Sequence, residues 1–453
     1  VTEHYYSFLS ILPAVIWLII FLVITFFVVN NNKDKPHYKY YSWNVYAKFF
    51  FALAYGVFYV VIYQGGDTVA YYDGAVTLNN LFFKSPALYL EELTSQADLL
   101  NYTTKYDIST GIPPLWIYRE PEAWMISRIM SLFSFFTLKS YWAMTIIMAY
   151  FTSLASWKLF ELVRVFKFNN EKLLAFGVLL LPSVNFWCAG VSKDTIVFIA
   201  TLVLVYHVFK IVSEKFKATV LNYIIAIIAA LLISQMRPFI LAAIAIPMAF
   251  SLSSRIIRFL GGGNMFVIVF RSIVLIAGLA IAGNALIATN EAEFLDQNAY
   301  LQEAAVIQKD FQQNQTYGDK RYSLGTVEFT PVGLVRVAPM AILTGLFRPY
   351  LWEALSPTLI MNGLESVIFL YFIFILVRRD FFKKWYLIRT NEFLVFCLIF
   401  VLIIAFMTGL TSGLYGVLVR LRAPLLPFLF ILSTIDLRLR STNNEQQIEP
   451  NKE

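Results

Sequence analysis

Apolar residues along this chain arrive in long runs separated by short polar stretches. Runs of roughly 20 residues match the hydrocarbon thickness of a bilayer. They predict spans at 8–29, 43–63, 141–161, 172–188, 194–212, 218–235, 238–252, 265–288, 358–377, 391–412 and 416–434, eleven in all. The run at 238–252 is short enough to tilt or to lie partly in the interface. The expected fold is all-α: a polytopic transmembrane helix bundle of about 11 spans, forming a single integral membrane domain over 1–440. The polar residues 441–453 read as a disordered cytoplasmic tail. The first run carries no basic lead-in and no evident cleavage site, so it reads as a retained span rather than a signal peptide.

Lys and Arg collect in one set of short loops: Lys33, Lys35 and Lys39; Arg164, Lys167 and Lys172; Lys210, Lys215 and Lys217; Arg255 and Arg258; Arg378, Arg379, Lys383, Lys384 and Arg389. By the positive-inside rule these loops face the cytoplasm, which puts the N-terminus outside and the C-terminus inside the plasma membrane. Two long loops, 64–140 and 289–357, then fall on the outer face. The first opens Gly65-Gly66-Asp67-Thr68, a tight exit turn followed by a helix with Asp67 or Thr68 as N-cap. Later, Pro121 starts a short apolar helix over 123–137, expected to lie along the outer membrane surface or to dip in and return. The second loop is expected to be partly helical from Glu291 to Gln315. It ends in a short apolar element and in Leu346-Phe347-Arg348-Pro349-Tyr350-Leu351-Trp352-Glu353, whose aromatic residues suit headgroup level.

Composition supports this class. Hydrophobic residues make up 59% of the 453 and charged residues 14%, more apolar surface than a soluble domain of that length could bury. The net charge of +7 needs no nucleic-acid partner, because inner loops facing anionic lipid account for it. Cys188 and Cys397 fall on different spans, and no metal cluster, phosphate-cradling loop or cofactor motif is present.

The candidate chemistry is cationic. Arg420 and Arg422 lie on an apolar, membrane-length segment, where each guanidinium costs about 2.5–3.5 kcal/mol to place at a helix centre. An anion at the membrane boundary would offset that cost, and phosphate fits the guanidinium fork bidentately. Snorkelling to headgroups or an intramembrane ion pair are the plainer readings. Arg348, Arg237 and Lys193 are further phosphate candidates, with Arg336 and Arg128 weaker ones. Arg237 could equally cap a helix C-terminus and Lys193 close a turn capped by Ser192 or Asp194. Among the acids, Asp67 and Asp73 are candidate catalytic bases or sugar-hydroxyl ligands, against a plain N-cap role for Asp67. Tyr71, Tyr72, Glu120 and Glu122 are candidate glycan contacts, with the glutamates otherwise explained as helix N-terminal acids. Glu365 falls inside a span and is a functional suspect on that ground, beside a plain structural role.

The exit Gly66-Asp67-Thr68 with Tyr71-Tyr72, the Glu120-Pro121-Glu122 helix start, and the C-terminal span bearing Arg420 and Arg422 together resemble bacterial Wzy-type and exopolysaccharide polymerases, multispan proteins of the GT-C glycosyltransferase kind. The resemblance implies a polyprenyl (pyro)phosphate-linked sugar donor used at the outer face, without a nucleotide or other cofactor. It implies that Arg420, Arg422 and Arg348 hold the lipid phosphate and that Asp67 is the acid of the first outer loop. Other proteins of envelope polysaccharide assembly would be its partners. The chain departs from that layout in having an extra span before this loop and an odd span count. A lipid-linked oligosaccharide transporter, or a non-catalytic subunit of a surface-polymer machine, are the rival classes. Against a transporter, the sequence shows no inverted repeat and no paired Gly/Pro-broken spans.

Overall fold

The computed structural model describes residues 5, 7–95, 98–274, 321–325 and 331–437. The expected helical stretch from Glu291 to Gln315, the second half of the 265–288 run and the 441–453 tail lie outside these residues. Among the described residues there is no strand, only two isolated β-bridges, Asn169 to Ile435 and Arg321 to Leu414.

Among the described residues, eight helical segments are long and apolar enough to cross a membrane: Phe8–Asn30, Pro36–Ile62, Tyr141–Phe166, Lys193–Ser213, Pro238–Phe259, Pro357–Arg378, Glu392–Thr411 and Tyr415–Ser433. Their starts are written locally. Ser7, Ser356 and Asn391 each accept a hydrogen bond from a first-turn N–H, and Pro357 occupies the first turn behind Ser356. Of the three remaining expected spans, one is broken among the described residues. The 218–235 run forms Val220–Met236, 17 residues. The 265–288 run is described only as the helix Asn264–Val274. The 172–188 run is not one helix: Glu171–Ala175 passes into a π turn at Phe176–Leu180, and Pro182 then opens a separate helix, Pro182–Trp187. Proline removes a backbone donor and collides with the preceding turn, so the break falls where it stands. Tyr415–Ser433 is likewise interrupted, with a 3-10 turn at Ala423–Leu425 between two α segments.

The chain divides into two compact units: Val1–Leu162 with Leu179–Tyr206 and Ile224–Pro238, and Val163–Val178 with His207–Tyr223 and Phe239–Glu453. In the first unit the stretch 64–140 is a folded set of helices rather than a connector. Gly66 takes φ +94°, which suits glycine, and serves as the N-cap of Asp67–Lys84. Asp67 is therefore the first helical residue rather than the cap, one position from the sequence expectation. Pro121–Thr137 packs along Asp67–Lys84, with the Ser127 hydroxyl donating to the Tyr71 carbonyl at 3.1 Å.

In the second unit the backbones of Pro331–Phe347 and Glu392–Thr411 approach closely. A Cβ on Gly345 would stand 2.0 Å from the Ala405 carbonyl oxygen, and one on Gly409 would stand 1.9 Å from that of Ala341. Small residues permit such contact between apolar helices, where packing rather than the hydrophobic effect supplies the attraction. The short apolar element expected at the outer surface is thus a helix packed along a spanning one.

Candidate functional site

The second unit holds an arginine site just past the end of Pro331–Phe347. Arg348 donates from Nε and Nη2 to Glu353 Oε1, at 3.0 and 2.5 Å. Glu353 is itself fixed by the Tyr350 N–H at 2.9 Å. The guanidinium carbon stands 5.4 Å from the Tyr322 ring centroid, 5.8 Å from Tyr415 and 6.0 Å from Tyr350, so aromatic faces surround the charge. Tyr322 is held there by its hydroxyl, which donates to the Gly409 carbonyl at 3.1 Å. Arg348 keeps 22% of its side-chain surface open, and among the described residues its Nη1 has no hydrogen-bond acceptor.

Burial opposes charge on both partners. The Glu353 hydrogen bonds outweigh it and raise the Arg348 pKa. For Glu353 the Arg348 donors, the Tyr350 N–H and the Tyr415 hydroxyl do the same, holding its carboxyl below the usual glutamate range. The pair is ionised and preorganised.

Arg422 supports this site from beneath. It is fully buried, and its Nη1 donates to the Arg348 carbonyl at 2.6 Å and to the Leu346 carbonyl at 3.3 Å. Its Nη2 reaches the Asn362 amide oxygen at 3.2 Å, the Asn362 carbonyl at 3.4 Å and the Ser366 hydroxyl at 3.4 Å. Arg422, expected to meet phosphate, instead places the backbone that carries Arg348, because its terminal nitrogens are turned onto buried protein oxygens. Arg420 is half-buried in the last turn of Tyr415–Leu421.

In the first unit a second constellation gathers Glu122, Lys193 and Arg237. Ser192 caps Lys193–Ser213 through its hydroxyl, which accepts from the Thr195 N–H at 3.1 Å. That cap sets the next two side chains apart. Lys193 Nζ donates to Glu122 Oε2 at 2.7 Å, and Arg237 Nη2 donates to Asp194 Oδ1 at 2.7 Å. Tyr71 and Tyr72, expected to touch glycan, are 4% and 1% exposed, and the Tyr72 hydroxyl donates to the Lys139 carbonyl at 2.6 Å. Asp67 and Asp73 are half-buried, and Asp73 Oδ1 accepts from the Tyr5 hydroxyl at 3.3 Å. Burial first, and then the Asp73 charge, push the Tyr5 pKa up. Glu120 is exposed at the N-cap of Pro121–Thr137.

Several residues of these sites carried no sequence signal strong enough to single them out. Glu92 is fully buried, 2.9 Å from Lys105 Nζ, and accepts from Trp124 Nε1 at 3.1 Å. Arg128, one of the weaker phosphate candidates, stands 3.9 Å from Glu92 and donates to the Ser95 carbonyl, facing protein. Burial presses its pKa down, and Glu92 works the other way. Tyr322, Tyr415 and Glu353 are joined to Arg348 only by the fold. Lys48 is the case a rule could have found: it falls inside the second expected span, 43–63, where an ionisable residue is a functional suspect by position alone. Comparison with protein-family models, curated proteins and solved structures yields no match to this chain.

Proposed function

We propose that this protein is a membrane glycosyltransferase or polysaccharide polymerase that uses a polyprenyl (pyro)phosphate-linked donor, with Arg348 meeting the phosphate. The observation that carries this reading is the open Nη1 edge of a guanidinium already fixed by Glu353 and ringed by three tyrosines. Cleavage of a glycosyl–phosphate bond builds negative charge on the departing phosphate. A guanidinium that needs no reorganisation stabilises that charge most strongly where water is scarce. The lipid tail can stay in the bilayer while its head reaches Arg348. Glu353, held ionised, orients the guanidinium and is a weak proton acceptor. Asp67 stays the proposed acid of the first outer loop.

The test is glycan transfer by the purified protein supplied with polyprenyl-linked oligosaccharide. Arg348→Ala should lower transfer about a hundredfold, the usual loss when one such charge-stabilising donor is removed. Full activity in that variant refutes the site, and Asp67→Asn tests the acid separately.

A specific observation favours one alternative, a lipid-linked oligosaccharide transporter. Two apolar segments, Glu171–Trp187 and Tyr415–Ser433, are interrupted helices, and interrupted spans are a feature of transporter binding sites. Vesicle-reconstituted protein that moves labelled lipid across the bilayer but transfers no glycan would decide for it.

A further inference from the structure

In the first unit two neighbouring helices carry polar atoms that are sealed from solvent and lack a partner. Lys48, on Pro36–Ile62, is fully buried, and among the described residues its ammonium has no hydrogen bond and no ion pair. Asn44 lies one turn earlier on the same face. It gives its amide nitrogen to the Ser153 carbonyl at 2.8 Å and leaves its oxygen without a donor. Thr201, on Lys193–Ser213, is fully buried with an unpartnered hydroxyl.

Packing brings these atoms to one level. Gly190 rests against the Tyr55 ring, and Lys48 Nζ stands 5.5 Å over the Phe198 ring. Rising numbers on one segment thus meet falling numbers on the other, so the helices run antiparallel and Thr201 falls level with Asn44. Helical side chains lean toward the helix N-terminus, which carries the Lys48 ammonium toward that same level. Of titratable groups, only the Cys188 thiol acts on Lys48. Among the described residues no carboxylate balances the charge.

Buried polar groups in folded proteins find a protein, water or ion partner. A water would complete the hydrogen bonds but leave the ammonium without a counter-charge, and an isolated buried charge is the costlier defect. We infer that Lys48, Asn44 and Thr201 form a site for one monovalent atomic anion, a halide such as chloride. The Lys48 ammonium and the Thr201 hydroxyl donate to it, while the Asn44 oxygen takes another ammonium hydrogen. The Phe198 face attracts the cation but supplies no counter-charge, so that is left to the ligand. One cation sets the ligand's charge, since a divalent anion such as sulfate would carry one negative charge too many into the bundle. Lys48 and Thr201 are both closed to solvent, which favours a single atom over a polyatomic ion.

The experiment follows thermal unfolding of the full chain in detergent micelles, with chloride replacing gluconate at constant ionic strength. Chloride at a hundred times its midpoint should raise the melting temperature of the parent by about 3 °C. Equilibrium dialysis with radiolabelled chloride should find one ion per chain, displaced by bromide and not by sulfate. Lys48→Met should lose both responses. In gluconate it should unfold at or above the parent temperature, because it removes an unsatisfied buried donor, so its loss of chloride reports the site rather than misfolding. Thr201→Val keeps the charge and removes one donor to the anion, so the chloride midpoint should rise about tenfold or more. A parent indifferent to chloride overturns the proposal and leaves Lys48 a neutral amine beside water. A full chloride response in Lys48→Met, or an unchanged midpoint in Thr201→Val, overturns it as well by placing the ion elsewhere.

Discussion

Lys48 and Arg422 are both fully buried cations, one in each unit, and the fold treats them oppositely. Arg422 has its two terminal nitrogens on five acceptors. Lys48 has no hydrogen bond to its Nζ, which stands 5.5 Å over the Phe198 ring. One turn before it, Asn44 gives its amide nitrogen to the Ser153 carbonyl and leaves its own oxygen without a partner. The difference lies in what each side chain finds. The helix Pro331–Phe347 ends just before Arg348, and helix ends leave carbonyls without intrahelical donors. A planar fork can gather several such oxygens at once, and a single ammonium on a flexible stem cannot. Burial of a cation therefore does not identify its role; the acceptors around it do.

That contrast can be broken most severely at Arg422. Arg422→Met should destabilise the protein by about 3–5 kcal/mol, because several buried oxygens lose their donor and each unmet one costs about 1–3 kcal/mol. Denaturant unfolding measures it, and Arg422→Lys should recover little. A variant as stable as the parent would show that the five contacts contribute nothing net. Next is Arg348→Lys: glycan transfer should stay about tenfold or more below the parent, since a point charge replaces the bidentate fork, while unfolding shifts little. On the other side of the comparison, Lys48→Met should stabilise by about 1–3 kcal/mol, the cost of an unsatisfied buried donor. A lower melting temperature in Lys48→Met would mean that the ammonium contributes an interaction absent from these contacts.

The smallest effect concerns Glu353. Its folded pKa is lowered, so the pair's contribution is complete above the unfolded glutamate value, about 4.3, and is lost as pH falls through the folded value. The stability difference between the parent and Glu353→Gln should be constant from neutral pH down to that region and shrink below it. A difference that grows on acidification would reverse the assignment.

The elements were more legible than the sites. Run length located the spanning helices because roughly 20 apolar residues fit a bilayer whatever their neighbours. It failed at Pro182, where a continuous apolar run hides a break, and at Pro424, where the interruption comes after Arg422. Proline was visible in both places, but a hydropathy reading averages over it. The cap at Asp67 was displaced by one residue because Gly66 bends the chain without a side-chain bond. Arg348 could be marked from its neighbours Pro349 and Tyr350. Its partners Tyr322 and Tyr415 come from distant segments, and no local pattern announces a contact made by tertiary packing.

The adjacent pair Lys193 and Asp194 has a mechanical meaning. Opposite charges on neighbouring residues at one helix start tether that helix in two directions, to Glu122 on one flank and to Arg237 on the other. The two bonds hold the start of the helix at two points, where either one alone would leave it a pivot. Any movement the first unit makes should therefore keep this corner as a fixed post.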